Sequence, residues 1–299
     1  MTALADYWRT SSSRQQSQPS PTLRAAANRV GEDPLTIAGF ASRATKSLTV
    51  AALFVGLTIS ARAEAPCTLP QDVLRLAHPL ARVAKKIAEH KPLTIVAIGS
   101  SSTAGAGAST PAANYPSRLA AELKQYFPGS PIVMVNRGVN GEEIEDMLKR
   151  FDAAVVQTKP DLVLWQLGTN SVIRDHVVSQ HEAQIHEGLV KIHSVGADAV
   201  LIDPQYVPKV NEKPQAVQMV ELIATAAKRE DVDLFRRYDV MKRWKEVDHI
   251  PFEVSVAPDG LHLNDWSYAC MAKGLGAAIA EAAQRPIVSA TAPMLHFVP

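Results

Sequence analysis

Asp259 and His262 stand three residues apart in Pro258-Asp259-Gly260-Leu261-His262, close enough for one short loop or helical turn to hold both side chains. A carboxylate that orients an imidazole makes a general base, which is what a serine hydroxyl needs to become a nucleophile at neutral pH. Serines are at hand in Gly99-Ser100-Ser101-Ser102-Thr103. Attack on a carbonyl also creates an oxyanion, whose donors must be set for the tetrahedral state rather than the ground state. The backbone amides of Ser101 and Gly141 and the side-chain amide of Asn170 are the candidates, and glycine suits position 141 because no Cβ obstructs the substrate there. Singly, each has a plainer reading: Asn170 is a turn former, Asp259-Gly260 a turn dipeptide, and His262 one of nine histidines. Their recurrence in order at the ends of strands lifts them above it.

Those strands are short apolar runs bounded by turn residues: Leu93 to Ile98, Ile132 to Val135, Leu162 to Leu167, Ala199 to Ile202 and a weaker one near Leu234 to Val240. Their nearly continuous apolar character predicts strands buried on both faces. Helical spacing lies between them, clearest in Ile144, Met147, Leu148, Phe151 and Val155, with Glu142, Glu143 and Asp146 where a helix dipole favours acids. Alternation of this kind implies right-handed crossovers and a parallel sheet covered on both faces, one doubly wound α/β domain over residues 66–285. Function is expected just past the carboxyl ends of the strands. There lie Gly99 to Gly105 after the first strand, Asn136 to Gly141 after the second, Gly168 to Ser171 after the third and Pro258 to His262 past the fifth.

These four segments resemble the four blocks of the SGNH, or GDSL, hydrolase superfamily, and the resemblance covers the whole domain. The Gly-Asp-Ser-x-Thr block matches Gly99 to Thr103, so the resemblance puts the nucleophile on Ser101. Asn136 to Gly141, Gly168 to Ser171 and Asp259 to His262 match the other three. What the resemblance implies is a three-layer α/β/α flavodoxin-like sandwich with a five-stranded parallel sheet, no metal or organic cofactor, and hydrolysis of carboxylic esters through an acyl-enzyme. The acyl or acetyl group would sit on a glycan, a lipid or a small molecule. Two positions depart from the pattern: Ser100 and Ser171 stand where the family usually has Asp.

Other chemistries compete. A Ser- and Gly-rich loop after the first strand can wrap a phosphate, which would make a flavodoxin-like binding module. It lacks the lysine of a P-loop, and such a module has no use for Asp259 and His262; a His262 to Ser101 separation far beyond ~3.2 Å would favour it. An O-acyltransferase would use the same triad. His176, His181 and His186 form a conspicuous cluster, but residues five apart lie about 140° around a helix, so they read as solvated positions rather than metal ligands. Trp165 and Gln166 read as core or as support beneath the site. Met241 to Ala257, with Trp244, His249, Pro251 and Phe252, reads as a pocket wall or a cap on the sheet.

The 299 residues, 46% apolar and 20% charged with a net charge of +1, describe an ordinary globular protein with no polyanion-binding bias, so nucleic acid is not an expected partner. Residues 1–63 stand apart. A polar stretch reading as disordered precedes a basic flank at Arg43 and Lys46, an apolar run from Leu48 to Ile59 and Ala61-Arg62-Ala63, the layout of a secretory signal cut near Ala63. Export to the periplasm or cell exterior is the expectation, with an uncleaved membrane anchor over residues 48–61 as its rival; the run is short of the roughly 20 residues a span wants. Seven basic and three acidic residues fall in 1–63, so the remainder is formally −3. In an oxidising compartment Cys67 and Cys270 can pair; two separate thiols, one buried in a helix, fit the sequence equally well. Residues 286–299 form an apolar tail.

Overall fold

The computed structural model describes residues 65–286. The leader 1–63, its cleavage point, the candidate anchor and the tail after Pro286 lie outside them. The chain runs through α1 (Gln71–Leu74), α2 (Ala81–Ala88), β1 (Leu93–Gly99), α3 (Ser101–Ala104), α4 (Tyr115–Tyr126), β2 (Ile132–Gly138), α5 (Ile144–Lys149), α6 (Phe151–Ala154) and β3 (Leu162–Gln166). It continues through α7 (Thr169–Ile173), α8 (His181–Ser194), β4 (Asp198–Ile202), α9 (Pro208–Asn211), α10 (Ala216–Arg229), β5 (Asp233–Phe235), α11 (Arg237–Glu246), α12 (Phe252–Ser255) and α13 (Asp265–Gln284).

All five strands pair in parallel, in the order β2-β1-β3-β4-β5. Helices α4 and α13 pack together on one face of the sheet, and α5, α8 and α10 on the other, giving the three-layer α/β/α sandwich. From β1 the chain steps outward to β2 and then returns across β1 to β3. The segments that leave β1 and β3 therefore diverge, and a crevice opens between them at the carboxyl edge. At the opposite edge three aspartates hold the chain entering the sheet. Asp161 accepts from Arg82 Nε at 2.8 Å, Asp198 from the Val83 amide at 2.9 Å and Asp233 from the His78 amide at 2.9 Å.

Double burial holds for β1, β3 and β4, whose apolar side chains are almost all out of solvent. Each fully buried Val or Leu there stabilises the fold by about 1.5–3 kcal/mol. The expectation fails for β2, an edge strand that pairs only with β1; it runs on through Asn136, Arg137 and Gly138 with Val133 exposed. The run from Leu234 to Val240 is strand only to Phe235. The Asp203 carboxylate at the end of β4 accepts from the Tyr238 amide at 3.0 Å, and the chain has already turned into α11. The helix expected from Ile144 to Val155 is two helices. Its backbone steps at Arg150 (φ −113°, ψ 7°), whose guanidinium turns back to the Glu142 carboxylate and the Arg137 carbonyl. Its apolar stripe survives the step, with Ile144, Met147, Phe151 and Val155 all buried.

Cys67 and Cys270 form a disulfide with their Cα atoms 5.5 Å apart. It fastens the segment ahead of α1 to the second turn of α13, where Trp266 Nε1 also donates to the Ala65 carbonyl at 2.8 Å. The closed loop spans 203 positions, so the crosslink strongly restricts the unfolded chain. Replacing both cysteines by serine should lower the unfolding free energy by about 2–5 kcal/mol in urea denaturation, and reductant should weaken the wild type equally. An unchanged midpoint would show that the crosslink carries no stability.

Candidate active site

The turn out of β1 is built on a close approach. A Cβ at Gly99 would lie 2.2 Å from Thr103 Oγ1 and 2.8 Å from Gln166 Oε1, so only glycine fits. Gln166, buried at the end of β3, accepts at Oε1 from the Ser100 amide (2.9 Å), the Ser100 hydroxyl (3.0 Å) and the Thr103 hydroxyl (3.3 Å). Ser101 opens α3 directly above this knot. From β2, Asn136 Nδ2 donates to the Thr103 carbonyl at 2.8 Å, and a Cβ at Gly138 would lie 2.1 Å from the Ala104 nitrogen. The short helix bearing Ser101 thus rests on the ends of three adjacent strands.

The fourth segment comes down from the opposite side. His262 Nε2 lies 2.9 Å from Ser101 Oγ, and His262 Nδ1 lies 2.5 Å from Asp259 Oδ2. The other Asp259 oxygen accepts from the backbone amides of Leu261 and His262, both at 2.9 Å. An isolated bridge between Val256 and Leu263 and a bond from the Ala257 amide to the His262 carbonyl (2.8 Å) close the loop at its base. Asn264 then caps α13, and Asp265 accepts from the Ser109 amide at 2.8 Å, tying the chain after α3 to the start of α13. Burial pushes the Asp259 carboxyl up, but the bonds from the His262 amide, its imidazole and the Leu261 amide more than offset this and bring it to about 2. An ionised Asp259 accepts from Nδ1–H, which leaves Nε2 of the neutral imidazole free to accept the Ser101 proton.

The segments that follow β2 and β3 carry the oxyanion candidates. Gly141 adopts φ 78°, a left-handed conformation natural to glycine. Asn170 Nδ2 donates one hydrogen to the Glu142 carbonyl at 2.8 Å, leaving its second N–H available. Where the family's pattern has a second Asp, the Ser171 hydroxyl donates to Glu143 Oε2 at 3.0 Å, so the carboxylate here comes from another segment. Glu143 also meets Arg174 Nη1 at 2.5 Å and His176 Nδ1 at 2.7 Å, while Arg174 Nη2 donates to the Gly141 carbonyl at 2.9 Å. Burial raises the Glu143 carboxyl, and the bonds from Arg174 and Ser171 outweigh it, so the group ends below its ordinary value.

Ser101, Gly141, Asn170 and the Asp259–His262 pair thus come from four segments at the carboxyl edge. The 2.9 Å contact of His262 with Ser101 falls inside the distance that separates a serine–base pair from a loop that merely holds a ligand. Two of the three clustered histidines need correction: His181 is buried rather than solvated and meets Gln184, and His176 precedes α8 and meets Glu143; His186 is the solvated helix position expected and meets Glu230. Trp244 is buried and donates to the Thr68 carbonyl at 2.9 Å, a packing role. Phe252 instead lines a shallow groove of about 320 Å³ beside the Asp259 loop, with Pro208, Pro258 and Gly260. Sequence reasoning missed Glu143 and the buried Arg237. Burial brings Arg237 down to about 10; its Nε donates to the Asp203 carbonyl at 2.8 Å, and burial pushes the Asp203 carboxyl up to about 7. A lone arginine in a polar helix carries no sequence signal of burial.

Residues 66–285 match the Non-GDSL lipase-like family. The chain belongs to that family. This Non-GDSL lipase-like protein is similar to an acetylxylan esterase of Geobacillus stearothermophilus, 24% identical over 152 residues that make up 47% of this chain and 68% of the relative. Among solved structures it resembles a two-domain esterase active on acetylated mannans, with a TM-score of 0.61 and 18% identity over 76% of this chain. It spans only 60% of that longer protein. A G-D-S-L family putative lipolytic protein from Desulfitobacterium hafniense gives a TM-score of 0.53 at 20% identity, with 62% of this chain and 98% of that one aligned. The likenesses to solved structures establish the fold, and the family makes the protein an SGNH/GDSL-like hydrolase.

The Asp259 geometry has a consequence for acid stability. Its folded value lies below the ordinary carboxyl value of about 3.9, so its stabilisation is fully present above about pH 4 and is lost as the pH falls through about 2. In urea denaturation the gap between wild type and Asp259→Asn should therefore narrow from pH 4 downward. A gap that stays constant down to pH 2 would contradict the carboxylate's role.

Proposed function

We propose that the protein is an exported serine esterase that removes acetyl or other short acyl groups from a glycan. The observation that carries the reading is the linear run from Asp259 through His262 to Ser101, with contacts of 2.5 and 2.9 Å. The relatives that act on acetylated xylan and acetylated mannan support the carbohydrate side of it. The disulfide supports passage into an oxidising compartment.

His262 Nε2 takes the Ser101 proton as Oγ attacks the ester carbonyl, and Asp259 holds the imidazole in the tautomer that can accept. The oxyanion forms among the amides of Ser101 and Gly141 and the free N–H of Asn170. Its collapse breaks the bond to the sugar oxygen, which leaves with the proton from His262. Water then repeats the cycle on the acyl-serine, releasing the acid and restoring the hydroxyl.

A fluorophosphonate should label the wild type and leave Ser101→Ala unlabelled; undiminished labelling of the variant would remove Ser101 as nucleophile. Asn170→Ala should lower kcat by about 10²- to 10³-fold if its donor serves the oxyanion. With p-nitrophenyl esters, acetate should be the preferred chain length, whereas a preference for long chains would move the substrate class to lipids.

A further inference from the structure

The side of the site that carries the base and the side that carries the Asn170 donor are joined by one buried side chain outside the four sequence blocks. Gln205 lies in the segment just past β4, the strand seated between β3 and β5, and is 1% exposed. Its Oε1 accepts from the Thr169 hydroxyl at 2.9 Å, and its Nε2 donates to the Leu261 carbonyl at 3.1 Å. Thr169 opens α7 and immediately precedes Asn170; Leu261 lies between Asp259 and His262. The direction of both bonds is dictated. A backbone carbonyl can only accept, so the amide nitrogen must face Leu261, and the Thr169 hydroxyl must then donate to the remaining oxygen.

The peptide that Gln205 reaches is the one from which the imidazole hangs. The Leu261–His262 peptide has its carbonyl held by Gln205 and its N–H held by Asp259 Oδ1 at 2.9 Å. With both edges of that plane bonded, the backbone under His262 has little freedom to rock, and the 2.9 Å line from Nε2 to Ser101 depends on it. We propose that Gln205 is a positioning residue that registers the base segment against the Asn170 segment, so that proton transfer and oxyanion stabilisation stay aligned with one reacting carbonyl. This rests on the serine esterase reading. Gln205 contributes no atom to the reaction; it sets the distance at which two other segments work. A misplacement of about 1 Å in such a site costs on the order of 10²-fold in rate.

Gln205→Glu keeps the length of the side chain and the acceptor for Thr169, and when ionised, at alkaline assay pH, turns the group facing the Leu261 carbonyl into a second acceptor. With p-nitrophenyl acetate it should lower kcat by about 10²-fold with KM within about twofold of wild type, and slow fluorophosphonate labelling of Ser101 in parallel. Thr169→Val is nearly the same size and leaves the Leu261 bond intact; it should also lower kcat at constant KM, by less. A residue that serves only stability would shift the melting transition and leave kcat of the folded fraction alone. The proposal is overturned by a wild-type kcat in Thr169→Val and in folded Gln205→Glu, or by a rise in KM that matches the fall in kcat, which would put Gln205 in substrate binding. If Gln205→Glu does not fold, Thr169→Val decides: reduced kcat at constant KM supports the bridge, and wild-type kinetics overturns it. Ser101→Ala in the same labelling experiment separates the two readings. Labelling retained there brings down the esterase reading, whereas its loss alongside wild-type kinetics in the Gln205 and Thr169 variants brings down the bridge alone.

Discussion

Position 99 has no room for a side chain, and the arrangement of the site begins with that fact. Because Gly99 and Gly138 lack a Cβ, α3 can lie within bonding distance of the ends of β1, β2 and β3 at once. Gln166 converts this proximity into a fixed register by gathering Ser100 and Thr103 on a single oxygen. The backbone at Ser101 is thereby held by the sheet itself rather than by a free loop, and the other segments are set around it. The loop bearing His262 then closes over it from the start of α13, on anchors at Asn264 and Asp265.

Most of this was legible in the sequence wherever the information is local. Continuous apolar runs marked β1, β3 and β4 because both faces of those strands are covered, and the polar residues following them marked the carboxyl edge. Asp259 and His262 were legible as a pair because they stand only three positions apart. Legibility failed where a neighbour decides the outcome. The edge position of β2 let polar residues continue the strand, and the grip of Asp203 on the Tyr238 amide ended β5 early. Gln205 follows an apolar strand at the same edge as the recognised segments, so its position past the carboxyl end of β4 marks it in the same way. Glu143 and Arg237 carry no such mark, since their partners come from segments roughly 30 residues away.

The two serines that depart from the family's pattern lead to different arrangements. Ser100 exchanges a charge for a hydroxyl that serves Gln166, and the turn stays neutral at that point. Ser171 passes the charge on: its hydroxyl feeds the Glu143 carboxylate, which with Arg174 and His176 forms an ionic cluster beside Gly141. Arg174 also holds the Gly141 carbonyl, and Asn170 holds the carbonyl of the next residue. The loop that carries Gly141 is therefore held by the Arg174 guanidinium at one carbonyl and by the Asn170 amide at the next.

The disulfide between Cys67 and Cys270 encloses every strand among the described residues, and the whole candidate site, within one covalent circuit. Cutting an open chain makes two molecules; cutting a circuit once makes one molecule with new ends. A protease that nicks a surface loop anywhere inside this ring would leave two polypeptide fragments still joined covalently through the sulfur bridge. The sheet and the helices packed on it would keep their neighbours, and only a second cut or a reductant would let a piece depart. For the exported esterase proposed above, such a ring would make a first cut survivable.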